Sequence, residues 1–127
     1  MAHPKSYDAT PDTFDSLVLE PRGELVLVDF WGPDCPNCEA FAAAEPALLA
    51  ELEGAPLRVV KVNAYAYEAL ATRFGLFGIP TFFLFRDGKQ LGRMAQYYGR
   101  EYFLGVIRDH LPGGQKGPPP QAGAAAT

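Results

Sequence analysis

Cysteine is scarce in this chain: only two occur among 127 residues, Cys35 and Cys38. Two are too few for the disulfide scaffold of a small secreted protein, and thiols kept in a reducing compartment usually serve chemistry or metal binding. The sequence also lacks any apolar run near the roughly 20 residues that a bilayer span needs, and its N-terminus lacks the apolar core of a signal peptide. We therefore expect a cytoplasmic protein that does not enter a membrane.

A basic cluster is missing as well. Lysine and arginine number 11 against 15 acidic residues, and the net charge is −4. Without a concentrated basic patch, nucleic acid and anionic membrane surfaces are not expected partners. The hydrophobic fraction of 48% is typical of a globular domain. We expect one domain over residues 1–112 and, because the remaining Pro, Gly and Ala cannot build a core, a disordered tail over residues 113–127.

Hydrophobic patterning predicts an α/β domain built on a mixed sheet. Nearly continuous apolar runs are typical of strands covered on both faces, and Asp87-Gly88 predicts a hairpin. The predicted strands span residues 24–31, 57–62, 81–85 and 89–94. The predicted helices span residues 10–19, 39–53, 67–74 and 100–111. Pro46 should kink the second helix or start a new segment. The order (β)αβαβαββα joins parallel crossovers to one hairpin, with helices on both faces of the sheet.

The two cysteines are separated by Pro36 and Asn37. Within a helix such a pair has Cβ atoms about 5–6 Å apart, whereas a disulfide needs about 3.8 Å. The mismatch shrinks if Cys35 lies at the mouth of a helix, where Pro33 and Pro36 fit well. Cys35 is then expected to be exposed, with the positive end of the helix favouring its thiolate. Cys38 is expected to lie one turn further in, covered and able to resolve a mixed disulfide.

Two other interpretations of the pair are open. C-x-x-C supplies half of a zinc site, but zinc takes four ligands, and His3 and His110 lie near the chain ends. A purely structural crosslink would close so small a loop that it constrains little of the unfolded chain. Neither is favoured, and we expect no metal and no organic cofactor.

The segment VLVDFWGPDCPNC resembles the active-site segment of thioredoxins, in which a strand ending V-D-F-W is followed, after three intervening residues, by C-x-x-C. FGIPT at residues 77–81 resembles the G-I-P-T loop of that family, which carries a cis proline facing the cysteines. The resemblance extends from about Tyr7 to Leu111. It implies the thioredoxin fold and a thiol–disulfide oxidoreductase that reduces protein disulfides by dithiol exchange through Cys35 and Cys38.

Asp29 and Lys61 are lone ionisable residues in otherwise apolar strands, so each is the other's expected partner. The resemblance implies that Asp29 lies behind Cys38 and helps to remove its proton, with Lys61 paired to Asp29. The alternative is an Asp29 exposed at the end of its strand.

Substrate binding is assigned through the same resemblance. The proline loop would offer the backbone of Ile79 to an extended client segment, with Pro80 and Thr81 beside it. Trp31 would shape the docking surface, although simple core filling is equally consistent with it. Gln96 stands where the docking groove of the family commonly has glycine. A trans proline that merely begins a strand is the alternative for the loop.

Four residues around the cysteines depart from the usual thioredoxin site and are expected to tune its redox chemistry: Asp34, Pro36, Asn37 and Glu39. The two acids oppose the thiolate of the first cysteine and should raise its pKa. Because stabilising the reduced form makes a dithiol oxidising, withholding that stabilisation favours a reductant.

The expected partners follow from this assignment. They are disulfide-containing client proteins and an upstream dithiol reductase, and the protein itself is expected to be a monomer. Two alternatives are a thioredoxin-fold binding module with secondary redox activity and a disulfide oxidase or isomerase.

Overall fold

The computed structural model describes residues 2–114, so the predicted tail lies outside the described residues except for Gly113 and Gly114. Over this range the chain forms five strands and four α-helices. In chain order they are β1 (Lys5–Asp8), α1 (Phe14–Val18), β2 (Leu25–Trp31), α2 (Pro36–Glu51), β3 (Leu57–Asn63), α3 (Glu68–Arg73), β4 (Thr81–Arg86), β5 (Lys89–Met94) and α4 (Arg100–His110). None of these helices is long and apolar enough to cross a membrane.

The strands form a single mixed sheet in the order β1-β3-β2-β4-β5. β3 pairs in parallel with both β1 and β2, whereas β4 is antiparallel to β2 and to β5. The predicted mixed sheet is therefore confirmed. β2 lies at its centre, and its residues 25–30 are all buried, as the unbroken apolar run indicated.

The alternation of side chains along β2 divides the core into two layers. Leu25 and Leu27 pack with Phe41 of α2 and Phe103 of α4 on one face. The intervening residues of β2 pack on the other face against α1 and α3, in a layer formed by Phe14, Val26, Val28, Phe30 and Leu70. Helices on both faces are thus confirmed. Asp29 continues the series of Leu25 and Leu27, which directs it toward α2.

The predicted hairpin is also confirmed. Asp87 and Gly88 both adopt positive φ angles, 52° and 80°, as a two-residue type I′ turn requires. The Asp87 carboxylate accepts a hydrogen bond from the Gly23 backbone N–H at 2.9 Å, which ties the turn to the loop before β2.

Two helix predictions need correction. α1 begins at Phe14, because residues 10–13 form a turn in which Thr13 Oγ1 accepts from the Thr10 backbone N–H at 2.9 Å. α2 continues through Pro46 as one helix and does not start a new segment. Proline removes one helical hydrogen bond there, and the apolar face of α2 compensates by packing into the core.

Candidate active site

The cysteine pair lies at the N-terminus of α2. Cys35 is the N-cap, with extended backbone angles (φ −126°, ψ 99°), and Pro36 is the first helical residue. Cys35 and Cys38 are disulfide-bonded, with Cα atoms 5.2 Å apart. Cys35 Sγ accepts a hydrogen bond from the Cys38 backbone N–H at 3.1 Å, as the side chain of an N-cap residue usually does. The predicted helix mouth is confirmed.

Both cysteines are covered to nearly the same degree. Cys35 is 8% exposed and Cys38 is 7% exposed, so the predicted exposure of Cys35 is wrong for this oxidised form. The reason is local: the Cys35 side chain turns back over the first turn of α2 toward Cys38, instead of projecting into solvent.

Neither histidine stands beside the pair. His3 Nε2 lies 3.8 Å from Glu53, beyond the C-terminal end of α2, and His110 ends α4. Within residues 2–114, no group of three or more His, Cys, Asp and Glu side chains is arranged to hold a metal ion.

The residues flanking the cysteines differ in their environment. Asp34, Pro36 and Glu39 are exposed, and Asp34 has a positive φ of 56°. Asn37 is half-buried, and its amide pairs with the backbone of Tyr97: the Tyr97 N–H donates to Oδ1 at 2.8 Å, and Nδ2 donates to the Tyr97 carbonyl at 3.2 Å. Asn37 therefore fastens the active-site turn to the segment between β5 and α4, a link that the sequence did not reveal.

The proline loop packs against the chain just before the cysteines. The Ile79–Pro80 peptide bond is cis, as the family resemblance implied. Pro80 and Thr81 are buried, and the Thr81 hydroxyl donates to the Gly78 carbonyl at 2.7 Å. A Cβ at Gly32 would lie only 2.7 Å from Ile79 Cδ1. Gly32 thus permits the close approach of the two segments, and sequence reasoning missed it.

Several aromatic residues surround this region. Trp31 is half-buried, and two others are strongly exposed: Tyr65 at 61% and Phe77 at 97%. A Cβ at Gly32 would lie 3.5 Å from the Tyr65 ring, so this ring flanks the proline loop. Gln96 is exposed and directly precedes the segment that Asn37 holds.

Behind the cysteines lies a cluster of three charged residues, of which two carboxylates are buried and the lysine is half-buried. Asp29 is 2% exposed, which rules out the alternative of an exposed strand end. Lys61 Nζ lies 3.8 Å from Asp29 Oδ2, but it lies 2.6 Å from Glu45 Oε1. Lys61 therefore does contact Asp29 as expected, but its shorter contact is with Glu45. Sequence reasoning missed Glu45; its position seven residues after Cys38, on the buried face of α2, was the available signal.

A cavity of about 450 Å³ brings Asp29 and Lys61 of this cluster together with Cys38. Its lining includes Asp29, Trp31, Cys38 and Lys61. Burial raises the pKa of Asp29 to about 7; the positive charge of Lys61 opposes this rise, and the negative charge of Glu45 adds to it. A carboxyl group that titrates near neutral pH is suited to accept and return a proton.

Comparison with known proteins agrees with this geometry. The thioredoxin family model matches residues 5–107. Thioredoxin 1 of Nostoc sp. is 35% identical over 102 residues, covering 80% of this chain and 94% of that protein. Thioredoxin of Griffithsia pacifica is 33% identical over 99 residues, covering 78% and 89%. A protein disulfide-isomerase of Neurospora crassa is 40% identical over 84 residues, which cover 65% of this chain but 22% of that protein.

The chain belongs to the thioredoxin family. Cys35 and Cys38 form the disulfide of its C-x-x-C motif, and the protein is a thiol–disulfide oxidoreductase. Members of this family act on disulfide-containing substrates.

Proposed function

We propose that this protein reduces disulfides in client proteins, with Cys35 as the nucleophile. The Cys35 thiolate attacks the client disulfide, forms a mixed disulfide and releases the first client thiolate. Cys38 gives its proton to the Asp29 carboxylate, and the resulting thiolate attacks the Cys35 sulfur. The second client thiolate then leaves, and the Cys35–Cys38 disulfide remains. The observation that carries the proposal is this disulfide at the mouth of α2, with Cys38 lining the cavity that contains Asp29.

Asp29 acts as the proton acceptor in the second step. Its burial and its raised pKa support this role, because a base works best when its pKa lies near the working pH. Lys61 stabilises the carboxylate once it is formed, from a distance of 3.8 Å. When the disulfide is reduced again, the proton returns from Asp29 to Cys38.

Client docking takes place around the proline loop. The backbone of Ile79 pairs with an extended client segment, and Pro80, Thr81 and Trp31 border the groove. We assign Gln96 to the same docking surface because it is exposed and adjoins Tyr97, which Asn37 holds beside the cysteine turn. The packing of Ile79 over Gly32, directly before the cysteine turn, supports this arrangement.

The direction of electron transfer is toward the client. Asp34 and Glu39 are both exposed acids beside the cysteine turn, and their negative charge disfavours the Cys35 thiolate. A destabilised thiolate makes the dithiol the better electron donor. Pro36 and Asn37 complete the tuning by shaping the first turn of α2.

Oxidase or isomerase activity is the second candidate, and the similarity to the Neurospora crassa protein disulfide-isomerase favours it. The two directions differ in the reduction potential of the couple. A value of about −270 mV is that of a reductase, and one of about −180 mV is that of an isomerase. Equilibration of the Cys35–Cys38 couple with glutathione measures this potential.

The cellular setting follows from the reductase proposal. A dithiol reductase upstream supplies the electrons, and a thioredoxin-like domain over residues 1–112 works as a cytoplasmic monomer in electron transport. A reducing compartment is consistent with the dithiol form that this reaction consumes.

Insulin reduction with dithiothreitol as the electron source tests the proposal. We expect turnover by the unmodified protein and none by Cys35→Ser. Cys38→Ser should accumulate a covalent mixed disulfide with the client, because the second attack cannot occur. A protein that shows no turnover would indicate a binding module instead. A Cys35→Ser variant that retains turnover would refute Cys35 as the nucleophile.

A further inference from the structure

Lys61 faces two buried carboxylates, and Glu45 is the closer one. The Lys61 ammonium lies 2.6 Å from Glu45 Oε1 and 3.8 Å from Asp29 Oδ2. Ser6 Oγ on β1 holds the other oxygen of Glu45, donating to Oε2 at 3.3 Å. Glu45 is 8% exposed and Asp29 is 2% exposed, so bulk water and salt screen these charges far less than a surface ion pair.

The position of Glu45 on α2 is one that packing alone would give to an apolar residue. The buried face of the helix consists of Cys38, Phe41, Glu45, Leu48 and Leu49. An ionised residue on such a face loses hydration, and a buried ion pair is often no more stable than apolar residues of similar volume. Glu45 also lies two turns below Cys38, beside the group that is to receive the Cys38 proton. The charge of Glu45 therefore lies where it can act on the proton acceptor, which an uncharged leucine could not do.

We propose that Glu45 is a positioning residue of the redox site: it holds the Lys61 ammonium away from Asp29 and so leaves Asp29 able to take the proton of Cys38. The inference rests on the proposed role of Asp29. If Glu45 loses its charge, Asp29 is the buried carboxylate that still contacts Lys61 among the described residues. The Lys61 ammonium then moves closer to Asp29. An ammonium in direct contact favours the ionised form of Asp29, which weakens it as a base.

Direct repulsion between the two carboxylates acts in the same direction. The negative charge of Glu45 raises the pKa of Asp29, so its removal lowers that pKa independently of any movement of Lys61. Both effects of losing Glu45 thus have one sign, which makes the expected result unambiguous.

Other ionisable groups face Asp29 from the elements around it. They are Lys61 from β3, Cys38, Glu39 and Glu45 from α2, and Asp8 from β1. Asp8 and Glu39 are exposed, so solvent screens their charges. Cys38 has no proton to lose in the disulfide form. The oxidised protein therefore isolates the titration of Asp29 from that of the thiols.

A carboxyl-carbon NMR titration of Asp29 in the oxidised full-length protein tests the proposal. The unmodified protein should titrate at about pH 7. Glu45→Gln removes the charge with little change in shape, and we expect the Asp29 midpoint to fall by at least about one pH unit. The matched control is Glu51→Gln, which removes an acid of the same helix that pairs with Arg100 at 2.9 Å, and it should not move the midpoint. A midpoint that stays or rises in Glu45→Gln overturns the proposal.

A second variant covers the case in which Glu45→Gln does not fold. Glu45→Asp keeps the charge but shortens the side chain by a methylene, so the contact with Lys61 lengthens and the midpoint should fall by a smaller interval. An unchanged midpoint overturns the proposal here too.

The functional half has its own readout. In the pH profile of insulin reduction, the rising limb of Glu45→Gln should move to lower pH by the same interval as the Asp29 midpoint. A profile that does not move overturns the effect of Glu45 on catalysis. Because the titration uses no substrate, an unmodified protein that is inert toward insulin would refute the proposed function without affecting the Glu45 result.

Discussion

Asp29→Asn should stabilise the oxidised protein at neutral pH while slowing its catalysis. The folded protein raises the pKa of Asp29 from 3.8 to about 7. In the unfolded chain this carboxyl group is ionised above about pH 4, whereas in the folded chain it keeps its proton up to about pH 7. The folded state therefore binds more protons over that interval, and stability falls as the pH rises through it.

The size of the effect follows from the same shift. Each pKa unit corresponds to about 1.4 kcal/mol, so an Asp29 shift of about three units costs about 4 kcal/mol of unfolding free energy at pH values above about 7. Asparagine cannot ionise and does not carry this cost, although it loses the attraction of Lys61. We expect Asp29→Asn to be more stable than the unmodified protein by about 2–4 kcal/mol near pH 8, and the gain to vanish near pH 4.

Guanidinium unfolding of the two oxidised proteins, followed by circular dichroism from about pH 4 to about pH 8, measures this difference. Asp15→Asn is the control, since Asp15 is an exposed acid paired with Arg73, and its effect should stay below about 1 kcal/mol at every pH. Equal stability of the unmodified protein and Asp29→Asn near pH 8 would refute the electrostatic reasoning.

Catalysis provides the second half of the same prediction. Loss of the proton acceptor should slow insulin reduction by at least about tenfold, because positioned proton transfer contributes factors of this size or more. An Asp29→Asn variant that reduces insulin at the unmodified rate would refute the proton-transfer role, whatever its stability.

Three further predictions concern the residues around the cysteine turn. Asn37→Ala leaves the N–H and carbonyl of Tyr97 without the two hydrogen bonds of 2.8 and 3.2 Å, and should lower the unfolding free energy by about 1–3 kcal/mol in urea; an unchanged value would show that the segment is held by other contacts. Gly32→Ala places a Cβ 2.7 Å from Ile79 Cδ1 and should slow reduction of insulin more than reduction of a small aryl disulfide, whereas equal slowing would contradict docking at Ile79. Glu39→Lys should lower the pKa of the nucleophilic cysteine and shift the glutathione equilibrium toward a more oxidising couple, and a shift the other way would refute charge tuning.

The central strands were predictable because their signal is local. β2 is covered on both faces, so nearly every residue must be apolar, and the run from Leu25 to Trp31 has that composition without reference to its partners. The Asp87-Gly88 turn is local in the same sense, since both residues tolerate positive φ. The start of α1 was not predictable, because Thr10 and Thr13 both fit a cap pattern.

Contacts between distant residues explain what sequence reasoning missed at the site. Asn37 and Tyr97 are 60 positions apart, and nothing in either segment indicates that a side-chain amide of one meets the backbone of the other. The prediction that Cys35 is exposed was wrong for a related reason. A helix mouth determines where the residue lies, but the direction of its side chain depends on the disulfide that it forms with Cys38.

Glu45 is the instructive case, because local and long-range signals conflict there. Glutamate is a good helix former, so an Ala/Leu/Glu-rich segment predicts α2 without marking this residue as unusual. Helical spacing nevertheless assigns Glu45 to the buried face, where one lysine serves two carboxylates at 2.6 Å and 3.8 Å. Among the described residues Lys61 is the cation that contacts both carboxylates. Asp29 has the longer contact and the lower exposure, and its burial raises its pKa to about 7. If Glu45 holds Lys61 off Asp29 as we propose, this third charge is what leaves Asp29 suited to act as the base.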